Sequence, residues 1–121
     1  MKNKKVRLRG QADKLWFQVC LKDNCESCGG RAIQSHHFYY KSNYGHLRYE
    51  IDNGVSLCKV CHFLLHHQDP KRIEDRIIAK RGQEWFDKLK EQAYKLPPPS
   101  YLTIDYYQRQ IERLSQVLKN L

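Results

Sequence analysis

Four cysteines stand in two Cys-x-x-Cys pairs, a spacing that suits a zinc ion. The pairs are Cys25 with Cys28 and Cys58 with Cys61. Zinc takes four thiolate ligands in a tetrahedron, and a site filled by four protein ligands has no position left for a substrate. We therefore expect these cysteines to form a structural zinc site. The fifth cysteine, Cys20, is expected to be a small buried apolar side chain.

Histidines supply a second set of candidate ligands. His62 and His66 directly follow the second cysteine pair and are four residues apart, so that on a helix they share one face. His36 and His37 are adjacent, and neighbouring side chains on a strand point to opposite sides. One of them can therefore bind a metal while the other takes a proton from water. A site with two or three histidine ligands keeps open positions and can polarise a phosphodiester.

The segment between the cysteine pairs is predicted to be a β-hairpin. Residues 31–40 have the composition of a strand that runs into a loop, and residues 47–51 are expected to pair with it as the second strand. Asp-Asn-Gly follows at 52–54 and is typical of a turn. Asn53 is open to two interpretations, a turn residue without a chemical role or a member of the site.

Helices are predicted around this hairpin. Apolar residues recur with helical spacing over 12–21 and 83–95, and the second cysteine pair opens a helix over 59–68. Asp69 followed by proline predicts the start of a further helix, and Gly82 its end. The fold class is therefore α+β, a small hairpin and helix core with a zinc knuckle pair, surrounded by helices.

The two ends of the chain differ in composition from its middle. Residues 1–10 form a basic arm, which is either a solvated terminus or a segment that contacts phosphates. Residues 11–96 make the zinc-stapled domain with its flanking helices. Residues 97–121 contain a proline linker and an amphipathic helix whose apolar residues have coiled-coil spacing. We expect that stripe, over 104–121, either to dock on its own domain or to form a homodimer.

The overall charge favours a polyanionic partner. The 121 residues include 22 Lys or Arg and 13 Asp or Glu, which gives a formal net charge of +9. Nucleic acid is the first candidate for a protein of this charge. No apolar run reaches the roughly 18 residues of a membrane span, and the first residues do not have the pattern of an export signal. We therefore expect no membrane partner, a cytoplasmic location and reduced cysteines.

The ordered combination of these residues resembles the HNH endonuclease family. Cys-x-x-Cys-Gly, His-His, Asn-Gly and Leu-Cys-x-x-Cys-His-x-x-x-His follow one another over residues 25–67. The pattern is most similar to the zinc-stapled phage and bacterial members, whose catalytic core is a ββα-metal motif. The resemblance implies a DNA endonuclease that hydrolyses phosphodiester bonds with a divalent ion such as Mg²⁺ or Mn²⁺. It also implies products with 5′-phosphate and 3′-hydroxyl ends.

The resemblance implies a role for each residue of the pattern. His36 would be the first metal ligand, where many members have Asp, and His62 and His66 would be the helix ligands. His37 would be the general base, and Asn53 would hold the loop that carries it. Members commonly place this motif at the DNA minor groove. The alternative function is a catalytically inactive zinc-ribbon module that binds DNA, and the presence of every histidine of the pattern argues against it.

Several neighbouring residues are open to two interpretations. His67 could replace His66 as a ligand, although a spacing of five residues fits one helix face less well. His46 has no partner in the pattern and is expected to be a surface histidine in a turn. Three cations are candidates for phosphate contact, with a solvated side chain as the alternative for each: Lys41, Arg48 and Lys59.

Overall fold

A computed structural model describes residues 3–121, and within them the chain forms a small α+β fold. The elements are α1 (Lys4–Cys20), β1 (Gln34–His37), β2 (Gly54–Leu57), α2 (Lys59–His67), α3 (Pro70–Arg81), α4 (Gln83–Tyr94) and α5 (Ile104–Lys119). Two 3₁₀ turns, Gly45–Leu47 and Ile51–Asn53, lie between the strands. None of the helices in the described part of the chain has the length and apolar character that crossing a membrane requires.

The hairpin uses a different second strand from the predicted one. β1 pairs antiparallel with β2, so that His36 lies opposite Val55. The prediction of a strand over 47–51 was wrong. Leu47 and Tyr49 are both buried, but they pack into different apolar clusters. Side chains two apart on a strand point to one face, so a strand could not serve both clusters.

All four residues of β2 are buried, so the strand is covered on both faces. Val55 and Leu57 pack into the apolar cluster that α2 and α3 also enter. On the other face the Ser56 hydroxyl donates to the Cys20 carbonyl of α1 at 2.9 Å. A side chain at Gly54 would meet the Cys20 sulfur at 2.4 Å, so glycine allows α1 to lie directly against the strand. Cys20 is itself a buried free thiol, as expected.

α1 begins earlier than the predicted helix and replaces most of the predicted basic arm. Asn3 caps it by accepting a hydrogen bond from the Val6 backbone N–H at 2.8 Å. Leu8 then packs on the same cluster as Ala12 and Trp16, so apolar burial continues through the basic stretch. Residues 4–10 are therefore the first turns of α1 rather than a separate arm. The first two residues of the predicted arm lie outside the described residues.

The three helices after the hairpin are confirmed. Asp69 caps α3 by accepting a hydrogen bond from the Arg72 backbone N–H at 3.3 Å. Gly82, with a φ of +102°, separates α3 from α4, as the glycine signal predicts. Ile73 and Ile77 supply the fully buried positions of α3.

α5 packs against α1 in the same chain. Its buried residues, Tyr107 and Leu114, belong to the apolar cluster that contains Trp16. Arg113 also donates to the Tyr49 carbonyl at 2.7 Å, which ties α5 to the loop between the strands. Of the two interpretations of the stripe over 104–121, docking on its own domain is the one seen. The homodimer stays a prediction.

Candidate metal centres

The four cysteines form one group at the base of the hairpin. Their sulfur atoms all lie within 4.8 Å of one another. Cys25 and Cys28 belong to the turn before β1, where Gly29 takes a φ of +82°. Cys58 is the N-cap of α2, and Cys61 lies in its first turn. The knuckle predicted from the two Cys-x-x-Cys pairs therefore joins the approach to β1 to the start of α2.

Backbone N–H groups are directed at three of the sulfurs. The bonds are Ser27 N to Cys25 Sγ (3.4 Å), Gly30 N to Cys28 Sγ (3.4 Å) and Cys61 N to Cys58 Sγ (3.3 Å). Such donors favour the thiolate, which is the form that binds zinc. Burial acts to raise the pKa of Cys25, but backbone donors prevail and lower it to about 7. A group of four sulfurs with these donors fits a structural metal ion such as zinc.

A buried ion pair supports the cysteine knuckle, and sequence reasoning missed it. Glu26 is 7% exposed, and its carboxylate accepts from the Ser56 N–H at 2.7 Å. Arg81, the last residue of α3, donates to both carboxylate oxygens and to the Gly54 carbonyl. Burial acts to raise the pKa of Glu26, but Arg81 and the Ser56 N–H hold it below its ordinary value. The pair thus links the knuckle to β2 and α3.

The three predicted histidine ligands also come together. The ring nitrogens of His36, His62 and His66 lie within 4.8 Å of one another, and the Nε2 atoms of His62 and His66 are 3.1 Å apart. β1 supplies His36, and one face of α2 supplies the other two. Burial, followed by the proximity of His66 and His62, lowers the pKa of His36 to about 3. The ring is therefore neutral near pH 7 and keeps the lone pair that a metal requires.

Two further histidines, His67 and His46, also lie outside this group. His67, the sequence alternative to His66, packs against Phe63 with ring centroids 4.8 Å apart and an angle of 40° between the planes. The group of converging ring nitrogens contains His66 instead. His46 is half-buried, and its Nε2 lies 3.0 Å from the Gln92 carbonyl and 3.1 Å from the Ala93 carbonyl, in the last turn of α4. Its role is therefore to cap that helix.

His36 and His66 border an open cavity of about 330 Å³. The other side chains around it include His37, Tyr40 and Lys41. The four-cysteine group, in contrast, has four ligands already in place. The histidine group therefore has both a free approach and fewer than four protein ligands, as a site that admits a substrate requires.

A backbone hydrogen bond selects one tautomer of the His37 ring. Its Nε2 lies 2.9 Å from the Arg48 carbonyl oxygen. Because a carbonyl can only accept, Nε2 carries the hydrogen and Nδ1 keeps the lone pair. Burial lowers the pKa of His37, although the hydrogen bond to Arg48 acts to raise it. The ring thus directs Nε2–H at the Arg48 carbonyl and has Nδ1 as its other nitrogen, next along β1 to His36.

Asn53 is a buried clamp on the loop after β1. Its side chain is fully enclosed, and its Oδ1 accepts from the Tyr39 N–H at 2.8 Å. Its Nδ2 donates to the Tyr39 carbonyl at 3.1 Å and to the Leu47 carbonyl at 3.2 Å. These bonds fix the chain after His37 to the segment that presents the Arg48 carbonyl. The Asn-Gly signal therefore marks a tertiary contact as well as a turn.

The three candidate phosphate-contacting cations have different surroundings. Lys41 is exposed and lines the cavity beside the histidine group. Lys59 is exposed at the start of α2 and lines a second cavity, which His62 and His66 also border. Arg48 is engaged within the protein, because it makes two hydrogen bonds to Asp13 at 2.7 and 2.6 Å. Lys41 and Lys59 are thus the two with freely presented charges.

The chain was compared with known proteins at three levels. No family model, no curated protein and no solved structure matches it. The interpretation of the two centres consequently depends on their own geometry and chemistry.

Proposed function

We propose that this protein is a metal-dependent DNA endonuclease of the HNH type. The observation that carries the proposal is the convergence of His36, His62 and His66 at an open cavity, with His37 as a neutral base on the same strand. The neighbouring cysteine group has four sulfur ligands and leaves no coordination position open. It would hold zinc and fix the hairpin relative to α2. The proposal thus assigns folding to the cysteine site and chemistry to the histidine site.

The histidine group has a donor set that fits a divalent ion. His36, His62 and His66 would hold it through their ring nitrogens, which lie within 4.8 Å of one another. An ion bound there, such as Mg²⁺, Mn²⁺ or Zn²⁺, would polarise the phosphodiester and stabilise the charge on the leaving oxygen. The three rings leave the cavity side open for the phosphate.

His37 would act as the general base. Its Nδ1 would accept a proton from the water that attacks phosphorus, while Nε2–H stays bonded to the Arg48 carbonyl. The resulting imidazolium would be stabilised by that carbonyl. Asn53 would keep the two loop segments at the distance this bond needs. Cleavage of the bond to the 3′ oxygen would leave a 3′-hydroxyl and a 5′-phosphate.

DNA is the proposed substrate because the charges around the site are positive. Lys41 and Lys59 are exposed on the two cavities that border the histidine group. Contacts of this kind bind the backbone of DNA regardless of its sequence. The formal net charge of +9 acts in the same direction over longer distances. A reducing compartment such as the cytoplasm would suit the free thiols of the zinc site.

The proposal can be tested with supercoiled plasmid DNA and the full chain. We expect relaxation or linearisation in the presence of Mg²⁺, Mn²⁺ or Zn²⁺, inhibition by EDTA, and loss of activity in His37→Ala. His46→Ala is the matched control, since this histidine caps α4 away from the site. Absence of cleavage with every divalent ion would overturn the enzyme proposal. DNA binding without cleavage would favour the inactive zinc-ribbon module instead.

A further inference from the structure

α1 lies outside the segment that carries the metal ligands, yet it contacts the proposed base directly. The Trp16 indole stacks on the His37 ring with centroids 3.8 Å apart and an angle of 3° between the planes. Trp16 is 3% exposed, and its Nε1 donates to the Glu50 carbonyl at 2.9 Å. The Trp16 indole, on which the His37 ring stacks, is therefore held in place by burial and by a hydrogen bond.

A second contact from α1 reaches His37 through the backbone. Asp13, one turn before Trp16, accepts two hydrogen bonds from the Arg48 guanidinium, at 2.7 and 2.6 Å. The carbonyl of the same Arg48 residue is the acceptor for His37 Nε2–H. Asp13 thus restrains the residue whose carbonyl selects the His37 tautomer.

We propose that Trp16 and Asp13 are positioning residues for His37. Trp16 sets the plane of the ring, and Asp13 holds the backbone group that keeps hydrogen on Nε2 and leaves Nδ1 free. The catalytic consequence rests on the function proposed above, whereas the restraint on the ring does not. Neither residue belongs to the pattern over 25–67. The position of His37, and with it the proposed catalytic activity, therefore depends on a helix that precedes that segment.

The chain contains a matched control for Trp16. Trp85 on α4 also donates its Nε1–H to a carbonyl of the inter-strand loop, that of Asp52 at 2.9 Å. Its ring packs against Phe38 with centroids 5.2 Å apart. The two tryptophans therefore anchor the same loop by the same kind of bond, but Trp16 is the one that stacks on His37.

The test compares four variants of the zinc-loaded full chain, Trp16→Leu, Trp16→Phe, Trp85→Leu and Asp13→Asn. The ¹⁵N chemical shifts of the His37 ring report its tautomer, and plasmid cleavage reports kcat and KM separately. A base displaced by about 1 Å costs on the order of 10²-fold in rate. We expect Trp16→Leu to lose the Nε2–H tautomer and to lower kcat by about that factor, with little change in KM. Trp16→Phe, which keeps an aromatic ring to stack on His37, should retain most of the Nε2–H tautomer and most of the wild-type kcat.

Asp13→Asn and Trp85→Leu complete the test. Asp13→Asn should weaken the tautomer preference of His37 and lower kcat by about tenfold. If Trp16→Leu does not fold, the proposal is judged on Asp13→Asn. Trp85→Leu should leave the His37 shifts unchanged. An unaltered tautomer in both Trp16→Leu and Asp13→Asn would overturn the proposal, as would equal losses of kcat in Trp16→Leu and Trp85→Leu. If the wild-type protein cleaves no DNA, the proposed function fails, and the ¹⁵N shifts alone decide whether α1 restrains His37.

Discussion

The cysteine site and the histidine site share one helix but face different surroundings. Cys61 is 2% exposed and lies in the apolar cluster with Val55 and Leu65. His62, the next residue along α2, is half-buried, and His66 is exposed. One step along a helix turns the side-chain direction by about 100°, so adjacent residues can serve a closed site and an open one.

The two groups differ in ligand number and in access, which are the properties that distinguish structural metal sites from catalytic ones. Four sulfurs lie within 4.8 Å of one another and satisfy a tetrahedral ion by themselves. Three ring nitrogens lie equally close, but His36 and His66 border a cavity of about 330 Å³. The first arrangement fixes the hairpin against α2. The second depends on that fixed geometry to bring His36 from β1 to the two histidines of α2.

The largest effect should come from removing one ligand of the four-cysteine site. We expect Cys58→Ser to lose its zinc and, with it, cooperative unfolding at 25 °C, because binding of a structural zinc contributes on the order of 10 kcal/mol to folding in small zinc domains. Elemental analysis should find about one tightly bound zinc per wild-type chain. Circular dichroism during urea titration measures the loss of the fold.

Cys20→Ala provides the matched control for that variant. Cys20 is buried and free, and it lies outside the four-sulfur group. Its replacement should leave zinc content and cooperative unfolding in place. A Cys58→Ser protein that folds as well as Cys20→Ala would refute the structural role of the cysteine site.

The next prediction concerns the histidine site and leaves the cysteine site unchanged. We expect His66→Ala to lower plasmid cleavage by at least about 10³-fold, since it removes a proposed ligand of the ion that would stabilise the transition state. The zinc of the cysteine site should be retained, and stability should stay near the wild-type value because His66 is exposed. His67→Ala is the control, since His67 packs on Phe63 outside the group, and its activity should stay within about twofold. Equal losses of plasmid cleavage in His66→Ala and His67→Ala would contradict the assignment of His66, rather than His67, to the histidine site.

A smaller effect should come from the ion pair beside the cysteine knuckle. The side chains of Glu26 and Arg81 are 6% and 16% exposed, so Glu26→Gln leaves a buried, unpaired cation. We expect the free energy of unfolding to fall by about 3–5 kcal/mol in urea titrations of zinc-loaded protein near pH 7. Asp75→Asn, which breaks the exposed pair with Lys71, should change it by less than about 1 kcal/mol.

The same pair predicts a dependence of stability on pH. The pKa of Glu26 is lower in the folded protein than its ordinary value of 4.5. Its contribution is therefore fully present above that ordinary value and is lost as the pH falls through the lower, folded-state pKa. The stability difference between wild type and Glu26→Gln should be constant from about pH 7 to 5 and should shrink below that range. A difference that grows on acidification would contradict the assignment.

Ligand chemistry and local spacing made both groups of candidate metal ligands predictable from the sequence. Two Cys-x-x-Cys pairs need only the turns that they themselves create, and histidines four apart on a helix share a face wherever the helix lies. The bounds of α3 were predictable for the same reason, because Asp69 and Gly82 act on their own neighbours. Each local pair is encoded within a few residues of where it acts, whereas the meeting of the two cysteine pairs, and of His36 with α2, depends on the fold.

The tertiary structure decided which distant residues support those centres. Residues 54–57 became the second strand because β2 can be buried on both faces, whereas Leu47 and Tyr49 serve separate clusters. Arg48 is paired with Asp13, which lies 35 positions away along the chain. Trp16 was brought onto His37 in the same way. Periodicity shows that a side chain will be buried or charged, but the partner it meets depends on how the helices pack, so the support of the site was visible only in the folded chain.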